Sequence, residues 1–344
     1  MKVAGVIGAI VIAIIVILAI VPVFLKPGGG ETKVGAATLF KSDDGGLTWK
    51  PIDKFQGGEI LNINFDSGDR KNLLIGTRRR GMWRGNVSGD EFSQYPGGVG
   101  EASQIFDLVT PATGGEFVSL VLFNNRGRVI RYRDGNRTEL MFTPLELFAF
   151  LKGYKTRQGH LRIIGSDGGF YESQNNGETW RVKSRFQKGL TSMTFNPVHD
   201  NQVWVLDPQG SLYSSEDGGE TWKDLTQSLR DFPGSQTSSL IFLDPKTQLL
   251  YHTSKHGLLR SVDGGESWEQ LKLIAPKETL PVTSLAIDES DPSQLYVAAQ
   301  NQIYISRDGG ETWKNVQASA GGIISVMLVN PSNSKEIFMG IRNI

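Results

Sequence analysis

Asp and Glu account for 36 of the 344 residues, Lys and Arg for another 36, His for four and Cys for none. Without cysteine there is no disulfide, no thiolate metal site and no thiol nucleophile. The balanced charge supplies no global field to recruit nucleic acid. Two carboxylates about 5 to 10 Å apart would suffice for glycoside hydrolysis, but no motif singles out such a pair. His160, His199, His252 and His256 lack the helical spacing of a metal site. His252 and His256 are four apart, but on a strand and its loop that offset does not converge. Stretches such as Ser42-Asp43-Asp44-Gly45-Gly46 gather oxygen atoms, yet a calcium loop closes on a bidentate Glu and this run closes on Trp49. No metal and no cofactor is expected.

One local charge feature stands out. Residues 70–137 hold eleven Lys or Arg and six Asp or Glu, a net of +5 in a chain that sums to zero. Arg78, Arg79 and Arg80 are consecutive, and Arg126 and Arg128 follow. Guanidinium groups bind carboxylates and other anions through paired hydrogen bonds, so these five are the candidate partner-binding residues. The partner they suit is a protein segment, a carboxylate terminus, or an acidic lipid or glycan. Plain solvated surface is the alternative, and a binding patch also needs aromatic anchors, for which Trp83, Tyr95 and Phe148 are candidates.

The elements that position these residues follow from an internal repeat. SDDGGLTW begins at Ser42, SQNNGETW at Ser173, SEDGGETW at Ser215, SVDGGESW at Ser261 and SRDGGETW at Ser306. The steps are 131, 42, 46 and 45 residues. The first is three steps wide, and worn copies around Gly85 and Tyr132 fill it, giving seven units. A period of about 40 to 50 residues is that of propeller blades. Each unit reads as a four-stranded antiparallel meander, with β-branched and aromatic strands between Gly, Asp, Asn and Pro turns. The eight-residue box joins the third strand to the fourth.

Within the box, the glycines (Gly46 in the first copy) supply positive φ, and the acid or its amide (Asp44, Asn175, Asp217, Asp263, Asp308) accepts hydrogen bonds from the turn. Ser42, Ser173, Ser215, Ser261 and Ser306 brace the loop. Trp49, Trp180, Trp222, Trp268 and Trp313 cover apolar surface. Five of seven tryptophans occupying one position argues for a structural staple rather than a cofactor box. By this alignment Arg78–Arg80 lie between second and third strands, Arg126 and Arg128 lie at the equivalent turn of the next unit, and Lys255, His256 and Arg342 share their face, opposite the boxes. The chain ends on two strands and begins, at residues 37–49, with the third and fourth. The expectation is therefore an all-β, seven-bladed β-propeller closed by pairing of N- and C-terminal strands in one blade.

Residues 3–25 are uncharged and almost wholly apolar. At 1.5 Å per residue they span a hydrocarbon core of about 30 Å. The division is thus a transmembrane anchor at 1–26, a glycine-rich linker at 27–33 and the propeller at 34–344, with a cleaved signal peptide as the alternative to a retained anchor. The expected placement is a single-pass membrane protein with its propeller outside the cytoplasm.

The S-x-D-G-G-x-T-W boxes resemble the Asp-box (BNR) repeat, and over residues 34–344 the chain is most similar to the photosystem II stability/assembly factor-like propellers, more distantly to sortilin-type and sialidase-type ones. The resemblance implies a non-catalytic propeller that binds a protein partner through an arginine patch, as an assembly or stability factor for a membrane complex. The alternative is a carbohydrate-active or glycan-binding sialidase-like propeller. The Arg-Ile-Pro signature that sialidases carry is missing, and xyloglucan-hydrolysing relatives use a cleft between two propellers. A pocket of close carboxylates on the face opposite the boxes would favour the glycan reading.

Overall fold

The computed structural model describes residues 37–66, 70–110, 115–276, 280–318 and 320–343. The apolar run at 3–25 and the linker at 27–33 lie outside them. Among the described residues no helix is long and apolar enough to cross a membrane.

Twenty-eight strands form seven four-stranded antiparallel sheets. Six are meanders of consecutive strands, at residues 60–94, 104–142, 150–185, 192–224, 240–271 and 282–317, here blades 1 to 6. Blade 7 combines Ile323–Asn330 and Asn333–Arg342 with Leu39–Ser42 and Lys50–Pro51. Phe40 pairs with Met339 and Ser42 with Ile337.

Second strands are apolar on both faces because a neighbouring blade covers each: Val203–Leu206 and Leu295–Ala299 are buried throughout. Outer strands such as Lys223–Asp224 are exposed and charged. Seven apolar clusters result, each joining two adjacent blades. One packs Leu39 and Phe338 of blade 7 against Ile60 and Leu73 of blade 1. Another packs Phe40 and Met339 of blade 7 against Tyr296 and Ile305 of blade 6.

Inner strands are stitched sideways by short polar side chains. Asn62 donates to the Ile105 carbonyl (2.7 Å), Thr283 to that of Ile324 (2.7 Å) and Ser325 to that of Ile60 (2.6 Å). Five inner strands also bulge at the second or third position, at Leu61, Phe106, Leu151, Thr283 and Ser325.

The box is a polar knot. The Ser215 hydroxyl accepts from the buried Gly219 amide (2.8 Å) and donates to Asp217 Oδ1 (2.8 Å). That carboxylate in turn accepts the Thr221 amide (2.9 Å) and hydroxyl (2.6 Å). The same serine and acid-or-amide bonds recur at Ser42/Asp44, Ser173/Asn175, Ser261/Asp263 and Ser306/Asp308. Gly218 and Gly219 have φ of 71° and 94°, and a Cβ on Gly219 would lie 2.5 Å from Phe170 of blade 3. The box thus packs on the preceding blade.

That preceding blade also donates to the turn of the box. Arg131 bonds the carbonyl of Asn176 (3.3 Å), Trp204 that of Gly264 (2.8 Å), Arg260 that of Gly309 (2.8 Å) and Arg307 that of Gly45 (2.7 Å). The box tryptophans are half-buried, and Trp49 and Trp180 donate to the carbonyls of Gly46 and Gly177 of their own boxes (3.0 Å).

Replacing Ser215 by Ala removes this buried amide's acceptor and should cost about 1–3 kcal/mol in urea unfolding; Gly219→Ala should cost more, since positive φ and the Phe170 contact both oppose a side chain.

Burial alone would raise the carboxyl of Asp44, but hydrogen bonds from Thr48, Ser42 and Leu47 hold it down at about 2, and Thr312 and Ser306 do the same to Asp308. Folded values below unfolded ones give stability that is present above about pH 4 and lost as pH falls through about 2. Asn175 shows that the turn accepts an amide. An Asp44→Asn/Asp308→Asn variant should therefore show a shallower fall in Tm between pH 4 and 2 than the parent.

Candidate partner-binding face

Turns between second and third strands share one face with the connections between blades. Gly81 donates to the Ser103 carbonyl (3.4 Å), Leu147 to Asn125 (2.7 Å), Lys255 to Thr237 (3.0 Å) and Ile324 to Gln300 (2.8 Å). The boxes occupy the other face, tied to the turns between first and second strands: Gly218 to Asn201 and Gly309 to Ser293, both at 2.8 Å.

The three-arginine turn is forced outward by its ends. The buried Thr77 hydroxyl donates to the Gly81 carbonyl (2.7 Å) and accepts from the Arg80 amide (2.9 Å). Gly81 has φ 66°, and a Cβ there would sit 2.2 Å from the Val99 carbonyl. Arg79 and Arg80 are exposed. Arg78 is half-buried and pairs with Glu59 (3.2 Å). Arg342, from the second strand of blade 7, joins this pair. Burial pushes its guanidinium below the usual range, Arg78 adds to the effect and Glu59 opposes it; its Nε is buried without a partner. Two guanidinium groups thus lie within electrostatic reach of each other and of Glu59 in a partly desolvated site.

On blade 2, Gly127 is buried against the Phe148 carbonyl, which a Cβ would meet at 2.7 Å, so Arg126 and Arg128 on either side point the other way. Arg128 lies 5.0 Å from the Phe142 ring and 5.5 Å from that of Phe123 and binds Glu139 (2.5 Å). Arg126 lies 5.8 Å from Phe142 and 3.8 Å from Glu146. Phe142 is 40% exposed and Leu145 70%.

Of the aromatic side chains expected beside the arginines, Trp83 donates to the Arg80 carbonyl (3.0 Å) and Phe148 bridges to Arg126 through the backbone, and Phe142 joins them. Trp83 packs edge-on to Phe55 (5.5 Å), Tyr95 against Phe117 (5.3 Å) and Tyr132 (5.4 Å), and Phe148 against Phe150 (5.1 Å). All three lie on strand or loop faces that a neighbouring blade covers. Phe142 ends an outer strand with no blade beyond it on that side, a distinction invisible without the sheet order. Glu59 faces Arg78 across the first two strands of blade 1, where the Arg78 amide donates to its carbonyl (2.9 Å), and Arg342 reaches the pair only when blade 7 meets blade 1.

Among the described residues no three His, Asp or Glu side chains gather to hold a metal ion. His252 is fully buried with neither ring nitrogen hydrogen-bonded, edge-on to Trp268 at 5.7 Å. His256, at the adjoining turn, is close enough to act on it electrostatically.

A cavity of about 1320 Å³ opens on the box side, where Asp107, Glu116, Asp200 and Glu289 are among its lining residues with Asn176 of the blade 3 box. A carboxylate pocket would mark a glycan propeller on the opposite face; this one is on the face of the boxes.

The comparisons with known proteins follow this architecture. Residues 151–320 match the family described as the DUF6242 beta propeller domain. No curated protein matches. Among solved structures the chain is similar to YCF48 from Cyanidioschyzon merolae, with TM-score 0.64 and 15% identity over 89% of this chain and 99% of that one. A YCF48 solved bound to a D1 peptide gives 0.64 and 14% over 84% and 93%. The GH74 xyloglucanase from Xanthomonas campestris gives 0.65 and 13% over 85% and 52%, so the chain spans about half of that enzyme. At these identities the likeness is one of fold, a seven-bladed propeller that serves both binding and hydrolysis.

Burial pulls the His252 imidazole down to about 4, with His256 adding to the shift. Its folded value lies below the ordinary 6.5 or so, and the stability it confers when neutral is complete above that pH and lost as pH falls towards 4. Replacing His252 by Phe should flatten thermal stability between pH 6.5 and 4 while leaving the pH 8 fold, checked by circular dichroism, unchanged.

Proposed function

We propose that this protein is a membrane-tethered, non-catalytic propeller whose arginine face binds an anionic segment of a protein partner, in assembly or stabilisation of a membrane complex. The observation that carries this is the partly buried Arg342 guanidinium beside Arg78, its Nε without a hydrogen-bond partner. An arriving carboxylate finds there a charge-assisted hydrogen bond in a site already partly stripped of water. Arg79 and Arg80 extend the positive surface, and Arg126 and Arg128 flank the exposed Phe142 and Leu145, so that an acidic segment with a neighbouring apolar residue finds both contacts. Central anchors of this mixed kind dominate protein interfaces. The D1 peptide bound by a YCF48 propeller supports a protein segment as the partner. Residues 3–25 supply the tether, and residues 27–33 let the ring move above the bilayer.

The test is crosslinking and affinity capture of the full chain from its native membrane, beside an Arg79→Glu/Arg80→Glu/Arg126→Glu variant. These surface changes should leave Tm within a few degrees of the parent and reduce recovery of a membrane-protein partner at least tenfold. An unchanged set of captured proteins would overturn the arginine-face assignment.

A further inference from the structure

The box-side cavity is independent of the arginine face and has a different character. Blade 2 has lost its box, and its third and fourth strands join through the two residues Asp134 and Gly135. With no eight-residue loop there, the cavity reaches outward from the inner strands to Arg133 and to Asn176 of the next blade. Four cationic and five acidic side chains line it, and Lys152, bonded to Asp107 at 3.1 Å, brings the sum to five against five.

Six of these charges, all on blades 2 and 3, pair within the wall, whereas Arg70, Arg157, Asp200 and Glu289 balance one another in number without pairing with one another. Lys155 binds Glu116 at 3.0 Å, and Arg133 lies 4.0 Å from Glu116 and 3.8 Å from Asp134. Asp107 also accepts the Gly153 amide (3.0 Å), and Asp200 that of Arg157 (2.8 Å). At these paired groups an ionic ligand would have to break one such pair for each it formed, at the desolvation cost of the charge left behind. Hydroxyl groups face no such exchange, because each both donates and accepts and can add to the remaining valence of a carboxylate or ammonium already paired. Beside this polar wall the Phe195 ring is held parallel to Tyr154 at 4.0 Å, with Pro197 and Val198 next to it. It offers a rigid flat apolar surface to the C–H face of a ring.

The volume exceeds the roughly 300–1,000 Å³ of sites for drug-sized ligands, which favours several linked rings over one. We infer that the box-side cavity is a binding site for a neutral oligosaccharide, stacked on Phe195 and hydrogen-bonded to the self-neutralised carboxylates and amines of blades 2 and 3.

The experiment is saturation-transfer NMR and calorimetry on the full chain in detergent micelles with cellohexaose, maltohexaose and N-acetylchitohexaose, and with hexagalacturonate as an acidic control. At least one neutral hexamer should bind with a Kd below 1 mM. Val198→Trp, an exposed change at the cavity wall, should weaken it at least tenfold with Tm unchanged, and Phe195→Leu should remove the ring-face signals while retaining apolar bulk. The arginine-face triple variant should bind the sugar normally, so failure of the two assignments is separable. No binding by any neutral hexamer, tighter binding of the acidic one, or binding untouched by Val198→Trp would each overturn the inference.

Discussion

A four-stranded blade cannot bury itself. Its second strand is apolar on both faces, and only another blade on each side removes those faces from water, which is the dominant favourable term in forming the ring. The fold therefore depends on seven wedge-shaped contacts that must all form, including the two in which blade 7 meets blades 6 and 1. Blade 7 is itself assembled from strands at the two ends of the described chain, so burial of Leu39 and Phe338 against Ile60 couples the first residues of the propeller to its last. Such long-range pairing is entropically costly to begin and leaves little room for one blade to loosen alone.

The boxes convert that apolar constraint into a directional one. Apolar wedges tolerate sliding, but a knot of five or six short hydrogen bonds does not. Because a side chain of the preceding blade reaches the turn carbonyl of the box in four of the five copies, those copies fix both their blade and the register between two. Arg131, Trp204, Arg260 and Arg307 reach the equivalent carbonyl from different places, a second strand, a third strand or the box itself. What the arrangement needs is a donor of sufficient reach, not a particular residue, which explains why these positions did not repeat visibly in the sequence.

With stability supplied by repeated elements, departures from the repeat become the informative places. Blades 1 and 2 lack the box and carry the arginines on the opposite face. In blade 1 the Asn86 side chain takes over part of the knot, accepting from Ser88, Gly89 and Asp90. In blade 2 a two-residue turn replaces the loop and opens the wall of the cavity. Two surfaces of unlike character thus sit back to back on the same pair of blades: one with cations in excess, the other with charges already balanced.

How much of this was legible depended on range. The box spacing of 42 to 46 residues and the alternation of strands and turns determined seven units, their strand order and the face on which each arginine turn lies, because local hydrogen-bond chemistry writes itself into contiguous residues. The five arginines were found for the same reason. How far each aromatic side chain beside them is exposed was decided only by packing: Trp83, Tyr95 and Phe148 are partly buried against neighbouring blades, while Phe142, at the end of an outer strand, is exposed. Glu59 and Arg342 are 283 positions apart in a chain of 344, and only the meeting of blades 7 and 1 makes them one site. The cavity is likewise a property of the ring. It is bounded by turns from six blades, and apart from Asn176 of the blade 3 box they carry no motif, since what they share is position around an axis that exists only after all seven sheets have packed.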